Sequence, residues 1–142
     1  MRMAAMACML ALLAACGNDA GTSTETSAVT TVQGQGDEAL ARALTCWGLT
    51  NRAYFMHQTV KDGGGNLPNP AQQVYRAWSN LAATTAHGAG MTLRDYEARQ
   101  RAAQRAATVY SLDVKPDHAA AVQKCIDTAP VLGPDPELSW PD

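Results

Sequence analysis

Three histidines, five serines and a scatter of acids are the side chains of this 142-residue chain that could do covalent or acid–base chemistry. Their spacing assembles none of the usual machinery. His57, His87 and His118 form no His-x-x-x-His or His-Glu-x-x-His pair, and no acid stands beside them at metal-ligand spacing. The helical reading below puts His57 and His118 at one end of the fold and His87 at the other, in exposed or helix-cap positions. The sharper alternative is a weak metal site or pH-sensitive contact joining His57 to His118. No Gly-x-Ser-x-Gly elbow surrounds any serine. Asp95 and Glu97 suit the favourable charge at a helix start rather than a catalytic pair. The residues therefore predict a protein that is not an enzyme, with no cofactor and no metal.

Arg94, Arg101 and Arg105 are the most suggestive charged group. Intervals of seven and four put them on one helical face, with Arg99 off the stripe. Long basic side chains commonly lie along their own helix with the head in water. As a contact, the same face suits an anionic partner such as a lipid headgroup, an acidic wall polymer or an acidic protein. The chain's net charge of −2 argues against nucleic acid.

The N-terminus has its own pattern. Arg2 is the only charge before Cys16, and residues 3–15 are Ala, Met, Leu and Cys. A short basic region, a short apolar region and then small residues is the layout of a secretory signal. The apolar run is too short to cross a bilayer, which takes about 20 helical residues. Leu13-Ala14-Ala15-Cys16-Gly17 resembles the lipobox of bacterial lipoproteins. The resemblance implies cleavage before Cys16, a diacylglycerol on its thiol and an acyl group on its new amine. Two or more acyl chains anchor stably where one does not. Gly17, where Asp would suggest inner-membrane retention, favours the outer membrane with the protein facing the periplasm.

That resemblance settles the cysteine count. Cys8 leaves with the signal and Cys16 is lipidated, so Cys46 and Cys125 remain as a pair in an oxidising compartment. A structural disulfide is expected, since no Cys-x-x-Cys redox spacing occurs.

These residues need elements to hold them. Residues 16–36 are polar and aperiodic and read as a flexible tether after a signal at 1–15. The folded domain is expected over 37–132, as an all-α, small antiparallel four-helix bundle with one disulfide between its first and last helices. A first helix over 37–60 carries Leu40, Ala43, Leu44, Trp47, Tyr54 and Phe55 inward and Arg42, Thr45, Gly48 and Arg52 outward. Gly63-Gly64-Gly65 reads as a turn. Asn69-Pro70 predicts the start of a second helix bearing Val74, Ala77, Trp78, Leu81 and Thr85. Thr92 and Asp95 predict a capped third helix with Leu93, Tyr96, Ala103, Ala107 and Tyr110 inward, Met91 stapling onto Tyr96. Pro116 opens a fourth, with Ala121, Val122, Cys125, Ile126 and Ala129 on one face before Pro130. At about 1.5 Å per residue, Cys46 and Cys125 fall at comparable heights on antiparallel neighbours. The tail, 133–142, is too proline-rich for a helix, and Trp140 is expected to dock on the domain.

In architecture alone, the expected domain is similar to small exported helical proteins clamped by one disulfide, such as periplasmic acid-stress chaperones and helical immunity proteins. No functional residue carries over. The expected role is a membrane-anchored protein-binding module: an inhibitor, immunity factor or assembly accessory. A structural or stress-buffering component working through the Arg94, Arg101 and Arg105 face is the alternative, and an uncharacterised enzyme the third.

Overall fold

The computed structural model describes residues 25–60, 66–112 and 116–142. They form four helices: α1 (Glu25–Thr59), α2 (Gln72–Gly88), α3 (Leu93–Leu112) and α4 (Pro116–Asp127), with no strand among the described residues. The all-α bundle is as the sequence predicts, and Cys46 is bonded to Cys125 between the first and last helices, with Cα atoms 5.2 Å apart. Cys8, Cys16, the glycine turn at 63–65 and the side chain of Tyr110 lie outside what is described.

The bundle is built around α1. The other three helices pack chiefly on it and little on one another. A single inward stripe is therefore too narrow a description of α1. Leu40, Ala43, Leu44 and Trp47 are buried as expected, but Cys46, Leu49, Thr50 and Ala53 are buried as well. Thr50 is tolerated inside because its hydroxyl donates to the Cys46 carbonyl at 2.6 Å. Two expectations invert. Phe55, read as inward, is 46% exposed. Gly48, read as outward, is buried against α3, where an added Cβ would lie 2.9 Å from the Ala103 carbonyl oxygen. Small residues on both helices bring α1 and α3 together, as the alanines of α3 suggest. The helix also begins at Glu25 rather than Asp37. Extending an existing helix adds one hydrogen bond per residue without a new nucleus, and no proline intervenes.

Helix ends follow local chemistry. α2 starts at Gln72, later than Asn69-Pro70 predicts, with Ala71 as an N-cap lacking a side-chain bond. Pro70 is itself fully buried, so it serves as packing in an extended lead-in. The inward positions of α2 are Ala77, Trp78, Ala82 and Ala86, one step round from the predicted stripe, and Leu81 is exposed. α2 ends in a Schellman turn: Met91 N–H reaches Ala86 O, Gly90 N–H reaches His87 O, and Gly90 takes φ +70°. α3 is capped as predicted, the Asp95 N–H donating to Thr92 Oγ1 at 3.2 Å. The reciprocal bond differs, since the Thr92 hydroxyl donates to the Asp95 carboxylate. Tyr96 and Ala107 are buried on α3, whereas Leu93 is exposed. On α4, Val122 and Cys125 are buried and Ala121 and Ile126 pack at the core margin, as does Ala129 just past the helix end.

Trp78 ties α2 to α4. α4 stops at Asp127, so its last carbonyls lack helical partners. The Ala129 N–H turns back to Ile126 O, and the buried Trp78 indole N–H donates to the Cys125 carbonyl at 2.9 Å. The tail then crosses α2. Arg76 donates to both carboxylate oxygens of Asp135 at 2.9 and 2.8 Å, and Asn80 donates to Asp135 and to the Pro134 carbonyl. Further on, His87 Nε2 bonds the Ser139 carbonyl at 2.8 Å. Trp140 docks as expected, stacked on Tyr96 with ring centroids 5.0 Å apart and edge-on to His87.

Candidate functional site

Because α2 and α3 scarcely touch, a seam runs between them over α1. Where α2 turns into α3, Trp140 fills it, bridging His87 of α2 and Tyr96 of α3. Toward the other end Phe55 stands exposed on α1, facing Tyr75 of α2 on one side and Gln104 and Thr108 of α3 on the other. Its ring lies 6.2 Å from that of Tyr75 on α2 and 5.4 Å from that of Tyr54, and Tyr54 lies 5.2 Å from Tyr75. Aromatic contacts of this geometry hold the trio in place while leaving Phe55 accessible.

On its α3 side Phe55 borders a cleft of about 160 Å³ with Asn51, Arg52, Gln104 and Thr108. Gln104 and Thr108 also line a shallower depression of about 420 Å³ with Arg101 and Arg105. Gln104 and Thr108 form a wall common to both hollows. Among the described residues their linings hold Arg52 of α1 and Arg101 and Arg105 of α3 and no carboxylate. The acid nearest along α3 is Glu97, which pairs with Arg101 at 3.3 Å in an exposed ion pair. Such a pair contributes little to stability and leaves the guanidinium available at its rim.

The three arginines predicted from spacing do not line one hollow. All are exposed on α3. Arg101 and Arg105 share a depression, whereas Arg94 borders a different open cleft, of about 810 Å³, with Asp95, Glu97, Trp140 and Asp142. Arg94 therefore stands among carboxylates. Arg99, off the stripe, reaches Asp37 at 3.5 Å.

The three histidines sit in different surroundings. His57 Nε2 bonds the Leu67 carbonyl at 2.8 Å, closing the α1–α2 connection. His87 serves the tail. His118, expected to be exposed or capping, is 1% exposed. α4 is short and lies against the hub helix, so its first turn is drawn into the core. Among the described residues no group of His, Cys, Asp and Glu could hold a metal ion.

Two pKa shifts mark the docked tail. Burial pushes the Tyr96 phenol above 10.0, partly offset by its hydrogen bond with Ser79. Hydrogen bonds from Arg76 and Asn80, with the charge of Arg76, hold the Asp135 carboxyl below 3.8.

Sequence reasoning missed Phe55 as a surface residue and did not single out Gln104 and Tyr75 near it, although it read Arg52 as outward. The signal available was the breadth of apolar residues around α1, which marks a central helix whose last exposed strip must fall between two neighbours. No protein-family model matches the chain, and no curated protein or solved structure matches it.

Proposed function

We propose that this chain is a lipoprotein anchored in the bacterial outer membrane through acyl groups on Cys16, facing the periplasm, whose helical domain binds another envelope protein. Binding, not catalysis, is its role. The observation that carries the reading is exposed Phe55, braced by Tyr54 and Tyr75 and bordering a cleft with Arg52, Gln104 and Thr108. Aromatic residues and arginine are the side chains most enriched at the energetic centres of protein interfaces. The lipobox Leu13-Ala14-Ala15-Cys16-Gly17 and the oxidised Cys46–Cys125 pair support an exported, anchored protein.

Two measurements test it. A clickable palmitate analogue fed to cells should label the wild-type chain, and Cys16→Ser should abolish both the label and membrane fractionation; an unlabelled wild-type chain would remove the anchor. A photo-crosslinking amino acid at position 55 should capture a discrete partner protein in the envelope, and one at Glu137 should not. Identical patterns from both positions would remove the binding role.

A further inference from the structure

We infer that the groove along α2 that seats the C-terminal tail is a peptide-binding site, with the tail as its resident occupant. It takes an extended segment of a partner protein that carries an acid and, five residues on, a tryptophan, as Asp135 and Trp140 do. The source of that segment rests on the partner-binding reading above. The bundle closes without the tail. Among the described residues none after Cys125 is buried, and no backbone–backbone hydrogen bond joins 130–142 to the helices. Side chains of the domain hold the tail as they would hold a ligand. Arg76 and Asn80 donate to Asp135, His87 bonds the Ser139 carbonyl, and Tyr96 stacks on the Trp140 ring.

The seated tail states what fits. Pro136, Leu138 and Trp140 are half-buried, whereas Asp135, Glu137, Ser139 and Pro141 are exposed, the alternation of an extended chain with one face down. Its register matches the helix beneath. From Arg76 to His87 α2 rises about 16 Å. Asp135 to Ser139, extended, spans about 13 Å, and the length of the Arg76 side chain covers the rest. Trp140 supplies the apolar anchor, filling the gap between His87 and Tyr96. The Arg76–Asp135 pair is exposed, so it sets orientation more than strength. Such an occupant can be exchanged. Val131 is 97% exposed and nothing lies within 4 Å of a Cβ placed on Gly133, so the lead-in to the groove is lightly packed. Arg76 follows Tyr75 of the aromatic trio, and a partner seated on Phe55 therefore stands beside the groove and competes at raised effective concentration.

The test uses the full chain in detergent micelles and a dye-labelled peptide with the tail's own sequence, Gly-Pro-Asp-Pro-Glu-Leu-Ser-Trp-Pro-Asp. Asp135→Ala with Trp140→Ala empties the groove of its own tail. Fluorescence anisotropy should show saturable binding to that variant and binding at least about tenfold weaker to the wild-type chain, whose tethered tail competes. Asp135→Asn alone should fall between. Alanine in place of the peptide's Trp should abolish binding. Lys in place of its first Asp should weaken binding several-fold, and adding Arg76→Glu to the protein should restore it. Thermal melts confirm that each variant is folded. No binding to the folded double variant, or equal binding to it and to the wild type, overturns the inference. So does a wild-type chain that sediments as a dimer and becomes monomeric with Trp140→Ala, which would assign the groove to a second copy. In cells the double substitution should raise the yield of the position-55 crosslink, and an unchanged yield would remove the partner from the groove. If that crosslink persists while the peptide fails, the binding role stands and only the groove falls.

Discussion

Gly48 shows how much one missing side chain can decide. Glycine costs a helix about 1 kcal/mol relative to alanine, so Gly48→Ala on an isolated helix would stabilise. Here the new Cβ would meet the Ala103 carbonyl oxygen at 2.9 Å, and backbone is the neighbour least able to yield. Overpacking of this kind costs about 1–3 kcal/mol. Gly48→Ala should therefore lower the melting temperature, while Gly36→Ala on the same helix, with nothing within 4 Å, should raise or hold it. Equal shifts would mean that α1 and α3 are not in close contact at Gly48. Tyr96 offers a second residue-scale test. Its folded pKa is raised above 10.0, so its contribution to stability is complete below that pH and is lost as the pH climbs through the raised value. Alkaline titration should show its phenol ionising later than free tyrosine, and Trp140→Ala should bring it back toward the ordinary range by admitting water.

At the scale of elements, the tail is the part most open to manipulation. Asp135 has a folded pKa below 3.8, so the Arg76 contact is intact above about pH 4 and is lost as the pH falls through the lowered value. Trp140 emission should shift to the red there while helical circular dichroism persists, and Asp135→Asn should show the shifted emission at neutral pH. Unchanged emission in both cases would mean that the aromatic stack alone holds the tail. The helix starts at Thr92 and Pro116, the disulfide partners and the docking of Trp140 were legible in the sequence, because capping, proline geometry and cysteine number act locally or by counting. The sides of α1 were not. Periodicity finds one apolar face, whereas Gly48, Cys46, Leu49 and Thr50 are buried by neighbours on other sides. The candidate site escaped for the same reason: Phe55 looks like core until three neighbours are placed and the gap between two of them is known.

For the whole molecule, the disulfide joins segments 79 residues apart. A loop that long constrains the unfolded chain by roughly 4–5 kcal/mol on the chain-entropy model. Replacing Cys46 and Cys125 with alanine should lower unfolding free energy by an amount of that order, measured by denaturant titration; a change under about 1 kcal/mol would mean that packing on α1 suffices. α1 also has a mechanical consequence. It begins on the side of the proposed anchor, passes through the middle of the fold and ends just past Phe55, and from Glu25 to Phe55 it rises about 45 Å at 1.5 Å per residue. The domain is thus built on its own mast. Tension from a partner seated near Phe55 would run down the one rod that every other helix grips, and Cys46 would share that load with α4 through a covalent bond. Under the proposed anchoring and partner binding, such a body would carry a pull along α1 and, through Cys46–Cys125, into α4.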